Sequence, residues 1–451
     1  MGGVNVRSII LDMLIQINEE NKYSNLVVRA ALDKYAYLPH EDRAFMSRVA
    51  LGTTERKITV DYIIDSFSKI SSGKMKPVIR NILRMGVYQI MYMDSVEDYA
   101  ACSEAVKLSE KRGFGSLKGF VNGVLRNIAR NRENIKFPSM EKEPVKCMSV
   151  LYSTPEWIVR KWVGYYGCKV TEEILRAQFE DRSLDIRCNT VKISPEELKN
   201  RLEARGIRVN RNRYIPEALS IDGYDSLDRI PEFDEGLFFV QDAASMLIAS
   251  AACTPEDGYV IDLCAAPGGK STHMAQLIYP GGTVDARDIS EAKTCLIEEN
   301  VRRLGLSNVT VRVSDATMAD EASIGKADVV IADLPCSGLG IIGKKPDIKY
   351  NASEEGCHEL AELQRKILHM ASQYVRKGGR LIYSTCTLNR EENEENAEWF
   401  ADNHDYIRDD MEKLMPEGLR GVLIKDNHIS VLPGESGMDG FFISAFTRKQ
   451  D

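Results

Sequence analysis

No apolar run in these 451 residues approaches the roughly 20 needed to cross a bilayer. Met1 to Arg7 lack the basic-then-apolar layout of a secretory signal, so a cytoplasmic protein is expected. None of the ten cysteines forms a Cys-x-x-Cys pair, and no Cys/His cluster has zinc spacing. Neither a disulfide framework nor a metal centre is therefore expected. Cys102, Cys147, Cys168, Cys188, Cys253, Cys295 and Cys357 read instead as small apolar core residues. Proline is nearly missing from the first 135 residues, where only Pro39 and Pro77 interrupt. The glycine-rich turn discussed below matches neither G-x-G-x-x-G nor G-x-x-x-x-G-K-[ST], which makes NAD and ATP poorer fits than a cofactor without phosphate.

What is present is globular in composition, with 43% hydrophobic and 28% charged residues, and is long enough for two or three domains. The net charge of −8 is unevenly spread: residues 1–146 carry 23 Lys and Arg against 17 Asp and Glu, a balance of +6, and the remainder carries −14. A basic end of this kind suits a nucleic-acid partner, although a solvated domain would look the same.

Apolar residues recur at helical spacing in Ile9, Ile10, Met13, Leu14 and Ile17, and again in Phe120, Val121, Val124, Leu125 and Ile128. An all-α domain over 1–140 follows. On its last helix Lys118, Asn122, Arg126 and Arg130 form a polar ladder that either tracks a phosphate backbone or is simply solvated. A small α+β module is expected over 141–235, with a strand near Asp185–Val191 and a helix from Ser194 to Arg205 that Ser194 caps. From 236 to 451 the pattern becomes strand, turn, helix, repeated, the signature of a doubly wound, Rossmann-like α/β domain. Its last run, Gly440–Phe446, has no helix after it and suits an antiparallel hairpin strand.

In such a sheet the ligand binds where the strands end. The first strand ends in Cys264-Ala265-Ala266-Pro267-Gly268-Gly269-Lys270, whose small side chains let a ligand approach the backbone. Asp288, Asp315 and Asp333 end the next three strands; Asp288 is placed for ribose hydroxyls and Asp315 for an adenine amino group. Cys336, in Asp333-Leu334-Pro335-Cys336, and Cys386, in Ser384-Thr385-Cys386-Thr387, each end an apolar run in a tight turn. A thiolate beside a nucleotide-like cofactor suits alkylation of an unreactive ring carbon, because adding a nucleophile to the ring first makes that carbon reactive.

The segments DLCAAPGGKSTH, DLPCSGLG, KKPDIKY and STCTLNREENE resemble the motifs of the RNA 5-methylcytosine methyltransferase family, and the helical first domain resembles the antitermination factor NusB. The resemblance implies S-adenosyl-L-methionine as methyl donor, held by residues 264–270, Asp288, Asp315 and Asp333. It also implies Cys386 as nucleophile, Cys336 as the group that assists release, and Asp333 at the cytosine edge. Small-subunit ribosomal RNA would be the substrate, at cytosine 967 of 16S, with no membrane partner and no metal; the oligomeric state stays open, a monomer being favoured. The family usually has Ala where Leu334 stands, which puts the width of the pocket in question. Another rRNA or tRNA cytosine is the alternative target. An RNA-binding assembly factor is the alternative of a different class, against which stand the intact Cys336, Cys386, Asp333 and Lys270. A protein glutamine methyltransferase would want Asn-Pro-Pro-Tyr at the fourth strand end.

Two further segments carry expectations. Gly343–Tyr350 supplies cations and an aromatic just after the Cys336 turn, and is read as an RNA-strand contact. Glu391, Glu392, Glu394, Glu395 and Glu398 are read as a solvated helix face.

Overall fold

The computed structural model describes residues 5–180, 183–416, 419, 424–425, 427–434 and 437–450. The chain divides into two compact units, one of residues 1–179 with 342–352, the other of 180–341 with 353–451.

The first unit is all-helical. Its helices are α1 Val6–Asn18, α2 Ser24–Lys34, α3 His40–Glu55, α4 Lys57–Phe67, α5 Pro77–Tyr92, α6 Asp98–Lys111, α7 Lys118–Asn131, α8 Pro144–Leu151 and α9 Glu156–Ala177. The apolar stripes of α1 and α7 face one core that also takes Ile79, Ile82 and Leu83 of α5. Pro77 opens α5, where its missing N–H costs nothing. On α7, Lys118, Arg126 and Arg130 are exposed and Asn122 half-buried, as a polar ladder opposite an apolar face requires.

The excursion 342–352 departs from its sequence reading. Lys344 and Lys345 are exposed, but Asp347 and Lys349 are buried. Asp347 accepts the backbone N–H of Ser24 at 3.2 Å and so caps α2. Lys349 donates to Gln178 at 3.0 Å, and the Tyr350 hydroxyl donates to the Glu55 carbonyl at 3.0 Å. Of the expected RNA-contact segment, then, residues 343–345 are the exposed part. The rest is sewn into the helical unit by buried polar groups that water cannot satisfy.

The second unit holds two sheets. Strands β1 Leu184–Cys188, β2 Arg208–Arg211, β3 Ala218–Asp222 and β4 Phe238–Val240 form an antiparallel sheet in the order β2-β3-β1-β4. The helix Pro195–Ala204 packs on it; its N-cap Ser194 accepts from the Glu197 N–H at 3.2 Å, and Gly206 takes a φ of 81° just past its end. The larger sheet comprises β5 Tyr259–Asp262, β6 Thr283–Asp288, β7 Val309–Val313, β8 Ala327–Asp333, β9 Val375–Thr385, β10 Tyr406–Arg408, β11 Ile424–Lys425, β12 His428–Val431 and β13 Phe441–Arg448. Its order is β11-β12-β13-β9-β8-β5-β6-β7, with β10 on β13. Strands β5 to β9 are parallel, and β13 returns antiparallel to β9, pairing Ser384 with Ile443. The chain winds outward from β5 in both directions, which puts a topological switch point at the carboxyl ends of β5 and β8.

Candidate functional site

The carboxyl ends of β5, β6, β8 and β9 carry the residues that matter. After β5 the chain turns through Cys264–Gly268 into the helix Gly269–Leu277. Gly268 has a φ of 103°, in the left-handed region that favours glycine, and a Cβ there would press on Ile297 at 3.3 Å. Asp288, the last residue of β6, braces this loop. Its carboxylate accepts the Ala266 N–H at 3.0 Å and the Ile289 N–H at 2.8 Å, and pairs with Lys293 at 3.0 Å. Asp315 lies two residues past β7, exposed, and accepts from both the N–H and the hydroxyl of Thr317 at 2.9 and 2.7 Å. Those bonds hold its carboxyl below the usual range.

Lys270 leaves the loop to meet Asp333, with Nζ 2.6 Å from Oδ2. Ser384 at the end of β9 donates to the other Asp333 oxygen at 2.7 Å. Burial alone would lower the Lys270 ammonium; the adjacent Asp333, Asp262 and Cys386 more than offset it and raise its pKa. A lysine in a sheltered site thus stays charged beside a thiol.

The two cysteines converge although 50 residues separate them, Cys336 Sγ lying 3.3 Å from Cys386 Sγ. Three contacts hold the turns in register: Leu334 N–H to the Ser384 carbonyl at 3.1 Å, Gly340 N–H to the Cys386 carbonyl at 3.0 Å, and a 2.7 Å bond between the Ser337 and Thr387 hydroxyls. Gly340 and Gly440 pack backbone on backbone here. A Cβ on Gly340 would sit 2.2 Å from the Gly440 carbonyl oxygen and 2.8 Å from that of Cys386. The hydrogen bond with Cys386, then burial, push the Cys336 thiol up. Leu334 points into the core beside Ile261, Leu263 and Tyr383, so its extra bulk over Ala is spent on packing.

Three findings lay beyond the sequence reading. Glu392, taken as part of a solvated face, is fully buried, while Glu395 and Glu398 are exposed as expected and Glu391 and Glu394 half-buried. Asp262, the last residue of β5, is fully buried; it accepts from Ser271 at 2.5 Å and its Oδ1 has no partner. Burial pushes its carboxyl up to about 7. Arg187 of β1, fully buried, donates to Gln276 at 2.9 Å, Thr272 at 2.9 Å, the Gly269 carbonyl at 2.6 Å, and Gln241. It ties the small sheet to the first turn of the helix that follows the loop. The segment 185–191 suggested alternation, yet Ile186, Arg187 and Cys188 are all buried, so nothing local marked Arg187 as interior. Of the cysteines read as core, Cys102, Cys147, Cys188 and Cys357 are buried, whereas Cys168, Cys253 and Cys295 are exposed.

Residues 251–447 match the family described as 16S rRNA methyltransferase RsmB/F, residues 4–130 the NusB family, and residues 154–227 the ferredoxin-like domain of RsmF/B-like methyltransferases. The chain is 35% identical, over the full length of both, to the probable ribosomal RNA small subunit methyltransferase B of Bacillus subtilis. It is 30% identical to the Synechocystis protein of the same name, over 98% of this chain and 99% of that one. Among solved structures it is similar to PH0851, with a TM-score of 0.79, 26% identity and 99% of each chain covered. NSun6 from Pyrococcus horikoshii with SFG shares the fold, with a TM-score of 0.59 and 24% identity over 67% of this chain and all of that one.

Proposed function

Because the chain belongs to the RsmB/F family of 16S rRNA methyltransferases, and is thus an S-adenosyl-L-methionine-dependent RNA cytosine-C5 methyltransferase, we propose that it modifies cytosine 967 of 16S rRNA through a covalent adduct on Cys386. The observation that carries the reading is the 3.3 Å approach of Cys386 to Cys336 beside the Lys270–Asp333 pair. Family models at 4–130, 154–227 and 251–447 support a working division into a NusB-like part (1–140), a linking module (141–235) and a methyltransferase domain (236–451). The function places the protein in the cytoplasm, and no described helix is long and apolar enough to cross a membrane.

The residues around β5 suit the cofactor. S-adenosyl-L-methionine carries an ammonium and a sulfonium, and Asp262 offers a buried carboxylate oxygen with no partner. Residues 264–270 provide a close backbone approach, Asp288 the ribose acceptor, and Asp315 and Asp333 the remaining polar groups. When bound, S-adenosyl-L-methionine supplies an electrophilic methyl group.

Cys386 is the nucleophile. C5 of cytosine is unreactive while its electrons belong to the ring, and the target base must first leave the stack. Addition of the Cys386 thiolate to C6 places an electron pair at C5, splitting one hard step into two. The Lys270 ammonium, whose charge the Cys386 sulfur helps to hold, stands beside this nucleophile. Asp333, held by Lys270 and Ser384, faces the N3 and exocyclic amine edge, where charge builds during the addition. Once C5 is methylated, Cys336 assists loss of the C5 proton; the electron pair returns to the ring, the C6–S bond breaks and Cys386 leaves as thiolate.

Incubation of Cys386→Ala and Cys336→Ala with the methyl donor and 16S rRNA, followed by a denaturing gel, tests this assignment. Cys336→Ala is expected to trap a protein–RNA band and Cys386→Ala none. A band from Cys386→Ala would reverse the roles. Methylation mapped to a nucleotide other than 967 would move the site while leaving the chemistry.

A further inference from the structure

Glu392 follows Cys386 by six residues, on the turn Arg390–Glu392, and its side chain runs back beneath the Cys336 turn. Its carboxylate accepts four hydrogen bonds: the Ser337 N–H at 2.8 Å, the Ser337 hydroxyl at 2.5 Å, Gln364 at 3.1 Å and Asn389 at 3.1 Å. All four partners are neutral donors. Burial raises the Glu392 carboxyl, and the bonds from Ser337, Asn389 and Gln364 work against that. A buried carboxylate without a cation is expensive, so its retention calls for a role that an apolar residue could not fill.

The contacts point to one. Ser337 is the residue after Cys336, and with its hydroxyl proton on Glu392, its oxygen is free to accept from Thr387, the residue after Cys386. Gln364 donates from one amide nitrogen to both Glu392 and the Pro335 carbonyl, 2.8 Å away, on the other side of Cys336. Asn393 completes the brace, accepting from Thr385 at 2.5 Å and donating to the Thr387 carbonyl at 2.9 Å. A carboxylate is acceptor-only, which is what four converging donors require; Gln would turn an NH₂ toward at least one of them.

Resting on the assignment of Cys336 to product release, we propose that Glu392 is a positioning residue for that step, clamping the Cys336 turn to the Cys386 turn so that the release group stays in place once the adduct has formed. Attack depends on Cys386, Lys270 and Asp333, none of which Glu392 touches. Its loss therefore slows release selectively.

The test runs the full-length wild type, Cys336→Ala, Glu392→Gln and Ser337→Ala with S-adenosyl-L-methionine and 16S rRNA, reading adduct formation and release separately under single-turnover conditions, with thermal unfolding alongside. Glu392→Gln is expected to form adduct at close to the wild-type rate and to release it about tenfold more slowly, so that a shifted band accumulates. Ser337→Ala shows the same direction with a smaller effect, and decides the matter if Glu392→Gln does not fold. Release at the wild-type rate overturns the inference, as does a parallel fall in attack and release, which would mark Glu392 as merely structural. Failure of Cys336→Ala to trap a band overturns the assignment beneath it; trapping by Cys336→Ala alone overturns only the role of Glu392.

Discussion

Replacing Arg187 by Met should loosen the cofactor loop from a distance, with an effect that follows from counting orphaned acceptors. The guanidinium serves Gln276, Thr272, the Gly269 carbonyl and Gln241. Thr272 keeps its own bond to the Gly268 carbonyl, and the Gly269 carbonyl still accepts from Thr272 at 3.2 Å. The side-chain oxygens of Gln276 and Gln241 lose their donor, and a buried acceptor left unsatisfied costs about 1–3 kcal/mol. Met fills the space without admitting water, so the two together cost about 3 kcal/mol. In a unit of this size that lowers the melting temperature by roughly 6–12 °C. Burial already lowers the Arg187 pKa to about 9, yet the group remains charged at neutral pH; its desolvation cost, relieved in the variant, makes the lower end of the range the expectation. Because the Gly269 turn is no longer pinned, affinity for S-adenosyl-L-methionine should fall about tenfold, near 1.4 kcal/mol. Differential scanning fluorimetry and isothermal titration calorimetry measure the two effects. A variant melting within about 2 °C of wild type with unchanged affinity would refute the view that Arg187 holds the loop.

Two further outcomes follow from buried titratable groups. Asp262, pushed up to about 7, must ionise to accept from the cofactor ammonium, so affinity for S-adenosyl-L-methionine should rise as pH increases from 6 to 8; in Asp262→Asn, calorimetry should find weaker and pH-independent binding, and a persisting slope would sink the assignment. His273, 2.9 Å from Glu217, is lowered by burial to about 4. The unfolded chain takes up this proton first, so stability contributed by His273 is present above its unfolded pKa of about 6.5 and is lost as pH falls through 6.5 toward 4. His273→Gln should flatten that part of the acid unfolding profile; an unchanged profile would show that the imidazole does not govern it.

Legibility along the chain tracked how local the cause was. The apolar periodicity of α1 and α7, the Ser194 cap and the runs that became β5 to β9 are each set by near neighbours, and each could be read directly. The strand-end aspartates and the two Cys turns were visible because turns at the end of apolar runs are short-range features. Arg187, Asp262 and Glu392 were not visible as interior groups, because a charged side chain reads as solvated unless its partners are known. Those partners lie far away: Gln276 is 89 residues from Arg187, and Ser337 is 55 from Glu392. Lys349 reads as solvated for the same reason, since its partner Gln178 lies 171 residues earlier, whereas Lys344 and Lys345 are exposed.

Residue order alone determined which chemistry was available: two thiols, a lysine, strand-end carboxylates and a glycine turn, each delivered to the same end of a parallel sheet by the strand before it. Only the tertiary structure decided how they meet. The 3.3 Å approach of the thiols, the direction of Lys270 toward Asp333 and the carboxylate beneath Ser337 depend on β9 lying beside β8 and β8 beside β5. Strand adjacency brings together groups from distant parts of the chain, and burial then makes every unmatched donor or acceptor costly enough to fix their partners.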